Sequence, residues 1–214
     1  TESPHAAEGT LAHSLAELKV RKKFETMKKS EYDKRFKDIQ KDPLYAPEMD
    51  GHTDTYLDYI LGIAHGYSKV KPYVAIEKQL DYSAYVPEGF GTCDCVMLCK
   101  NDLHIFDFKY GKGVPVSAEE NPQLKLYALG AIAEYGFLYD IRNITLHIIQ
   151  PRLDSVSSFV LTIEGLLGWG VAIRPIAEAA YNGTGGFKCG DHCLFCKAKA
   201  NCRARAEDFF SLEK

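Results

Sequence analysis

Asp94, Asp107 and Lys109 fall within the single stretch Gly91-Thr-Cys-Asp-Cys-Val-Met-Leu-Cys-Lys-Asn-Asp-Leu-His-Ile-Phe-Asp-Phe-Lys-Tyr-Gly111. It consists of two runs of β-branched, apolar and aromatic residues around a polar break at Lys100-Asn101-Asp102, the pattern of a β-hairpin. Strand side chains alternate, so Asp107 and Lys109 share one face and Phe106 and Phe108 take the other. With the turn centred between Lys100 and Asn101, antiparallel pairing sets Asp94 opposite Asp107, with Cβ atoms roughly 4.5–5.5 Å apart. A slip of one residue would send the two carboxylates to opposite faces. Like charges this close, with a lysine beside them, are costly unless something uses them, and a divalent cation would. The plainer reading is a solvent-facing hairpin with hydrated charges. The rest of the chain decides between them.

Stepping outward, Glu77 lies mid-strand in Tyr73-Val-Ala-Ile-Glu-Lys-Gln-Leu-Asp-Tyr82, where it is either an outward charge or a third carboxylate of the same site. Ahead of it, Thr10 is placed to cap a helix whose apolar stripe is Leu11, Leu15 and Leu18, with Gly9 just before it. His13 sits off the centre of that stripe, where a lone histidine is most often surface. Residues 21–41 are charge-rich and amphipathic, Pro43 and Pro47 break the pattern, and 54–67 reads as a second amphipathic helix. His52 and His65 read as structural or exposed.

Beyond the hairpin, Asn121-Pro122 starts a helix expected to end at Gly136. Gln123 and Tyr127, four apart, share a face near its N-terminus, whose partial positive charge suits a phosphate. A buried Tyr and an exposed Gln would be the ordinary alternative. Residues 144–149 and 158–163 read as strands, and 166–181 as a helix bent or interrupted at Pro175. Helices, three antiparallel-type strands, a helix and two more strands give an α/β fold, a mixed central sheet flanked by helices.

The chain of 214 residues, 46% hydrophobic and 26% charged, is long enough for one sizeable α/β domain. A net charge of −3 excludes a globally basic nucleic-acid binder, although clustered charge matters more than the sum. No apolar run reaches the ~18 residues that span a bilayer, and no signal peptide opens the chain, so a cytoplasmic protein without a membrane partner is expected. The first residue is not Met, which leaves room for a segment ahead of Thr1.

Four of seven cysteines crowd the C-terminal end: Cys189, then Cys193-x2-Cys196-x5-Cys202. In a reducing compartment such spacing suits a metal or an iron–sulfur cluster more than disulfides. The fourth ligand is open between Cys189, His192 (for zinc) and a group ahead of Thr1. Lys197, Lys199, Arg203 and Arg205 make this the most basic patch, suited to a phosphate backbone. Cys93, Cys95 and Cys99 read as core residues on one strand face.

Gly9-Thr-Leu-Ala-His13, Glu77, Gly91-Thr-Cys-Asp94, Asp107-Phe-Lys109, Gln123-x3-Tyr127 and the cysteine tail, in this order, resemble the RecB-like branch of the PD-(D/E)xK nuclease superfamily. The likeness is greatest to phage- and prophage-type exonucleases related to CRISPR-associated RecB-like nucleases. The resemblance implies a restriction-endonuclease-like core over 1–185, with a helical insertion at about 20–70, and a Cys-rich tail over 186–214. It implies Mg2+ or Mn2+ held by His13, Asp94, Asp107 and the Phe108 carbonyl, Glu77 supporting that site and Lys109 as the catalytic lysine. Gln123 and Tyr127 would contact substrate or brace Lys109. The tail cysteines would carry a 4Fe-4S cluster, with zinc as the alternative. The function implied is a metal-dependent DNA exonuclease of phage or prophage recombination or processing, bacterial or phage-encoded and working with a recombination partner. The competing reading is a non-catalytic DNA-binding or zinc-binding structural protein that keeps the fold. The chain departs from the family in having no cysteine ahead of the His13 motif and no proline before Asp94.

Overall fold

A computed structural model of the chain describes residues 4–194 and 196–211; of the tail expected over 186–214, positions 195 and 212–214 lie outside that set. A five-stranded sheet forms the centre, in the order β1 (Tyr73–Asp81), β2 (Phe90–Cys99), β3 (Asp102–Phe108), β4 (Asn143–Gln150) and β5 (Ser155–Thr162). All neighbours are antiparallel except β3 and β4, which run parallel because the helix α4 (Pro122–Tyr135) carries the chain across between them. The fold is therefore mixed α/β, as its order of elements leads one to expect.

On one face, α4 and the start of α5 (Ile163–Tyr181) bury Leu124, Tyr127, Ala128, Leu129, Ala131 and Leu166 against Val96, Leu98, Leu103, Ile105, Ile144, Leu146 and Ile148. On the other, α1 (Pro4–Phe24) and α3 (Pro47–Gly66) cover Ile76, Cys95, Met97, Phe106, Phe108 and Ile149. Buried Met49, Thr53, Tyr56, Leu57, Ile60 and Ala64 form the helical stripe of α3. The Lys19 ammonium, almost wholly buried, ties α1 to α3 through the Asp50 carbonyl at 2.7 Å and the Asp54 carboxylate at 2.6 Å. The shorter α2 (Lys29–Gln40) buries no residue, consistent with its charge-rich sequence.

Asn121 caps α4 as read, its side chain accepting from the Leu124 amide at 3.2 Å, with Pro122 in the first turn. The helix does end at Gly136, but not through a left-handed turn, since φ there is −64°. Glycine is needed because an added Cβ would lie 2.6 Å from the Ile132 carbonyl oxygen. Other expectations need correction. α1 starts at least as early as Pro4, so Gly9 and Thr10 are interior, and the Thr10 hydroxyl donates to the Ala6 carbonyl instead of capping. Ala6, Ala7 and Glu8 are strong helix formers, so the helix extends ahead of the threonine, while its buried face begins only at Ala12. α5 runs through Pro175 without interruption, with that residue on its solvent side.

Candidate metal and phosphodiester site

The β2–β3 hairpin has the register expected from its turn: Cys95 pairs with Phe106 and Cys99 with Asp102, which puts Asp94 and Asp107 at the next position across the pair. In β1 and β2, Ile76 pairs with Cys95 and Lys78 with Cys93, so Glu77 stands across from Asp94. The register thus lines Glu77, Asp94 and Asp107 in one row across three strands.

The row coincides with a break in the sheet. The ladder skips the Glu77–Asp94 pair, and Glu77 has φ of +49°, a left-handed conformation that costs a non-glycine residue about 1 kcal/mol or more. Alternation reverses there. Ile76 faces α1 and α3 and Ala75 faces α4, yet beyond the break Leu80 faces α4; likewise Cys95 and Cys93 lie in opposite layers. This corrects the expectation of one cysteine face. Cys93, Cys95 and Cys99 are all buried, as core residues should be, but the kink at Asp94 turns the first two to opposite sides.

The kink aims side chains at α1. Asp94 Oδ1 lies 3.2 Å from His13 Nδ1, while its Oδ2 accepts from the Phe108 amide at 2.7 Å. Among the described residues, His13, Glu77 and Asp94 are the one trio of His, Cys, Asp or Glu ligand atoms all within 4.8 Å of one another. The Phe108 ring packs edge-on against the His13 ring, centroids 5.3 Å apart, and so fixes the imidazole from below. Asp107, 4% exposed, is next to this trio; the Lys109 ammonium lies 2.8 Å from its Oδ2. That contact is not aligned as a hydrogen bond, so Oδ2 is a buried carboxylate oxygen without a well-directed donor. Lys109 also donates to Gln123 Oε1 at 3.3 Å, and Gln123 Nε2 donates to the Tyr127 hydroxyl at 2.9 Å. Gln123 thus bridges the Lys109 ammonium and the Tyr127 hydroxyl. Gly91 makes room for it, since a Cβ there would sit 2.8 Å from Tyr127 Cε1.

The electrostatics are those of an acid cluster short of positive charge. Burial, then the Asp94 and Glu17 carboxylates, push Glu77 up to about 7 against the pull of His13 and Arg21. Burial and Asp94 push Asp107 up to about 6 despite Lys109 and His13. Burial lowers His13, but its hydrogen bond to Asp94 and the charges of Asp94, Asp107 and Glu77 outweigh this and leave it raised. Burial also pushes the Tyr127 phenol up to about 12, so it is a neutral donor in the working range.

The tail cysteines Cys189, Cys193, Cys196 and Cys202 follow α5, around a short turn (Asp191–Leu194) and before α6 (Arg203–Ser211). Burial, then Asp208, Cys193 and Cys202, push the Cys189 thiol up, so Cys189, Cys193 and Cys202 are neighbours, while Cys196 is not among the groups that act on it. His192 Nε2 meets the Lys188 carbonyl at 3.0 Å.

A second polar cluster escaped the sequence reading. The Tyr67 hydroxyl donates to Asp102 Oδ2 at 2.9 Å, so its oxygen accepts from His104 Nε2 at 2.7 Å. His104 Nδ1 then accepts from His147 Nε2 at 3.1 Å, and His147 Nδ1 accepts from the Tyr59 hydroxyl at 3.1 Å. Every ring nitrogen has one partner and one tautomer. Burial lowers His104, and burial with the neighbouring His104 takes His147 down to about 3, so both rings are neutral. The only hint in sequence was a histidine set among apolar residues in each of two strands, Leu103-His104-Ile105 and Leu146-His147-Ile148.

A family model described as "Protein of unknown function (DUF2800)" matches residues 1–214. A solved structure described as "Crystal structure of SSO0001" is similar over 89% of this chain and 95% of that one, with 15% identity and a TM-score of 0.36, too slight a likeness to carry an argument. No helix among the described residues is long and apolar enough to cross a membrane.

Proposed function

The chain belongs to this DUF2800 family, and we propose that it is a RecB-like, Mg2+- or Mn2+-dependent deoxyribonuclease, an exonuclease of phage or prophage DNA recombination or processing. The observation that carries the reading is the row Glu77–Asp94–Asp107 at a strained kink, with His13 on one side and Lys109 on the other. Strain kept at a cluster of like charges indicates a use for the cluster.

The residues fit a hard divalent ion. Carboxylate oxygens and a ring nitrogen are its donors, and Glu77 and Asp107 are raised by burial and by the neighbouring carboxylates. His13, Asp94 and Asp107 would hold it with the Phe108 carbonyl, and Glu77 would support them. When bound, such an ion polarises a phosphate oxygen and makes its water acidic enough to serve as nucleophile near neutral pH. Lys109 is held between Asp107 and Gln123, so its ammonium can orient the attacking water or stabilise charge on the phosphate oxygens. Gln123, fixed by Tyr127, sets the reach of that ammonium or meets the substrate itself. The tail is proposed to hold a 4Fe-4S cluster, or zinc, through Cys189, Cys193, Cys196 and Cys202, in keeping with a reducing cytoplasm.

The test is digestion of end-labelled DNA by the purified protein with Mg2+, Mn2+ or EDTA, beside Asp107→Ala and Lys109→Ala. Metal-dependent release of nucleotides, absent from both variants, is expected. Full activity in either variant refutes the assignment. DNA binding without turnover would instead support the non-catalytic reading.

A further inference from the structure

Beside the acid cluster, a cavity of about 360 Å³ opens between the start of α1 and the loop after β3, lined by His5, Glu8, Tyr110, Lys112 and Arg152 with Gly111 and Gly113. Its floor is built. Arg152 lies in the short turn Pro151–Leu153 after β4, stacks over the Tyr110 ring at 4.6 Å and meets Glu8 through Nη1 at 3.1 Å, leaving its side chain only 12% exposed. A guanidinium carries five N–H donors. Among the described residues this one has the Glu8 contact and the aromatic face but no aligned hydrogen bond. None of its nitrogens is both fully buried and unpartnered, so they stay within reach of a ligand in the notch.

The loop bearing Lys112 is pinned from below. Buried Gln150 donates to the Gly111 and Val114 carbonyls at 2.7 and 3.0 Å and accepts from the Val116 amide at 3.1 Å. Lys112 itself is exposed and has no recorded partner among the described residues. Positive groups outnumber the single carboxylate, so the notch suits an anion rather than a second cation. Its place is also telling. Tyr110 is next in sequence to Lys109, and Glu8 precedes His13 by five helical residues, about 7.5 Å along the α1 axis.

We propose that this notch binds a phosphate of the substrate strand neighbouring the one that is cut, with Arg152 and Lys112 as its ligands. The inference rests on the nuclease reading and extends it, because a strand held here at one phosphate passes Lys109 at the next. Both a terminal phosphate and an internal phosphodiester offer this chemistry.

Binding of short fluorescent single strands, in Ca2+ and by anisotropy, tests it. The strands carry a 5′-phosphate, a 3′-phosphate or hydroxyls at both ends. Arg152→Gln should weaken binding about tenfold and lower the salt slope by about one, and Lys112→Ala should weaken it roughly threefold. Lys112→Ala guards against misfolding, because its side chain is solvated. Loss on all three strands identifies an internal phosphodiester; loss confined to one phosphorylated end identifies a terminal phosphate. Wild-type affinity and salt slope in both variants overturn the proposal. Cleavage of the same strands in Mg2+ separates the two ideas. A protein that binds through Arg152 and Lys112 yet cuts nothing sinks the nuclease reading alone. One that cuts while both variants bind normally sinks the notch alone.

Discussion

Two buried polar clusters share the central sheet and behave in opposite ways. In the histidine chain Asp102–Tyr67–His104–His147–Tyr59, each donor has an acceptor and each ring is neutral. In the row Glu77–Asp94–Asp107, Glu77 and Asp107 are pushed upward, one buried oxygen lacks an aligned donor and the backbone is strained at +49°. A closed network is complete without a ligand and serves to lock α3 onto β3 and β4. An open one, retained despite its cost, has the properties of a site. The contrast separates structure from function on physical grounds, and it can be broken from either side.

The largest effect is expected at the open cluster. Lys109→Ala should lower metal-dependent cleavage at least about a hundredfold while thermal unfolding stays close to wild type. Comparable loss from His147→Ala without loss of fold would erase the distinction. That variant should instead cost on the order of 3 kcal/mol in denaturant unfolding, since it leaves His104 Nδ1 without its donor and the Tyr59 hydroxyl without its acceptor. Asp107→Asn should go the other way in metal-free buffer. Removing a buried charge relieves the repulsion with Asp94, and a melting temperature a few degrees higher is expected.

Acidity gives a finer test, because the two clusters respond with opposite sign. His147 titrates near 3 in the folded chain against 6.5 unfolded, so the unfolded state binds more protons between these values. Its contribution to stability therefore falls as pH drops from about 6.5 towards 3. Glu77 and Asp107 titrate near 7 and 6 against 4.5 and 3.8, so the folded state binds more protons and their contribution rises as pH falls through the same range. The metal-free wild type should show a shallow dependence between pH 7 and 5. Melting curves of Glu77→Gln should fall more steeply on acidification, and those of His147→Gln should rise. Identical profiles in all three proteins would contradict both assignments. The smallest effect on cleavage belongs to the tail: Cys193→Ser or Cys196→Ser should reduce solubility and stability more than metal-dependent hydrolysis. In anaerobically purified protein, absorbance near about 400 nm would mark an iron–sulfur cluster and its absence, with zinc bound, the alternative.

Much of this was legible in advance where local rules govern. The hairpin register followed from one turn and the α4 start from Asn121-Pro122, and together they place Asp94, Asp107, Lys109, Gln123 and Tyr127 correctly. The kink was not legible, because alternation assumes a regular strand and nothing in Ile76-Glu77-Lys78 announces a positive φ. Its consequence, Cys93 and Cys95 in opposite layers, was lost with it. The earlier start of α1 was hidden because threonine and glycine imitate a helix boundary that the helix-forming Ala6, Ala7 and Glu8 override. The histidine chain and the Arg152 notch depend on residues tens of positions apart, which only the tertiary fold brings together.

Titration calorimetry of Mn2+ into the purified protein addresses the acid cluster most directly, with Asp94→Asn as the comparison. One saturable site in the wild type, lost or greatly weakened in Asp94→Asn while His147→Gln keeps it, is the predicted result. Equal Mn2+ binding by wild type and Asp94→Asn, or none by either, would contradict the account.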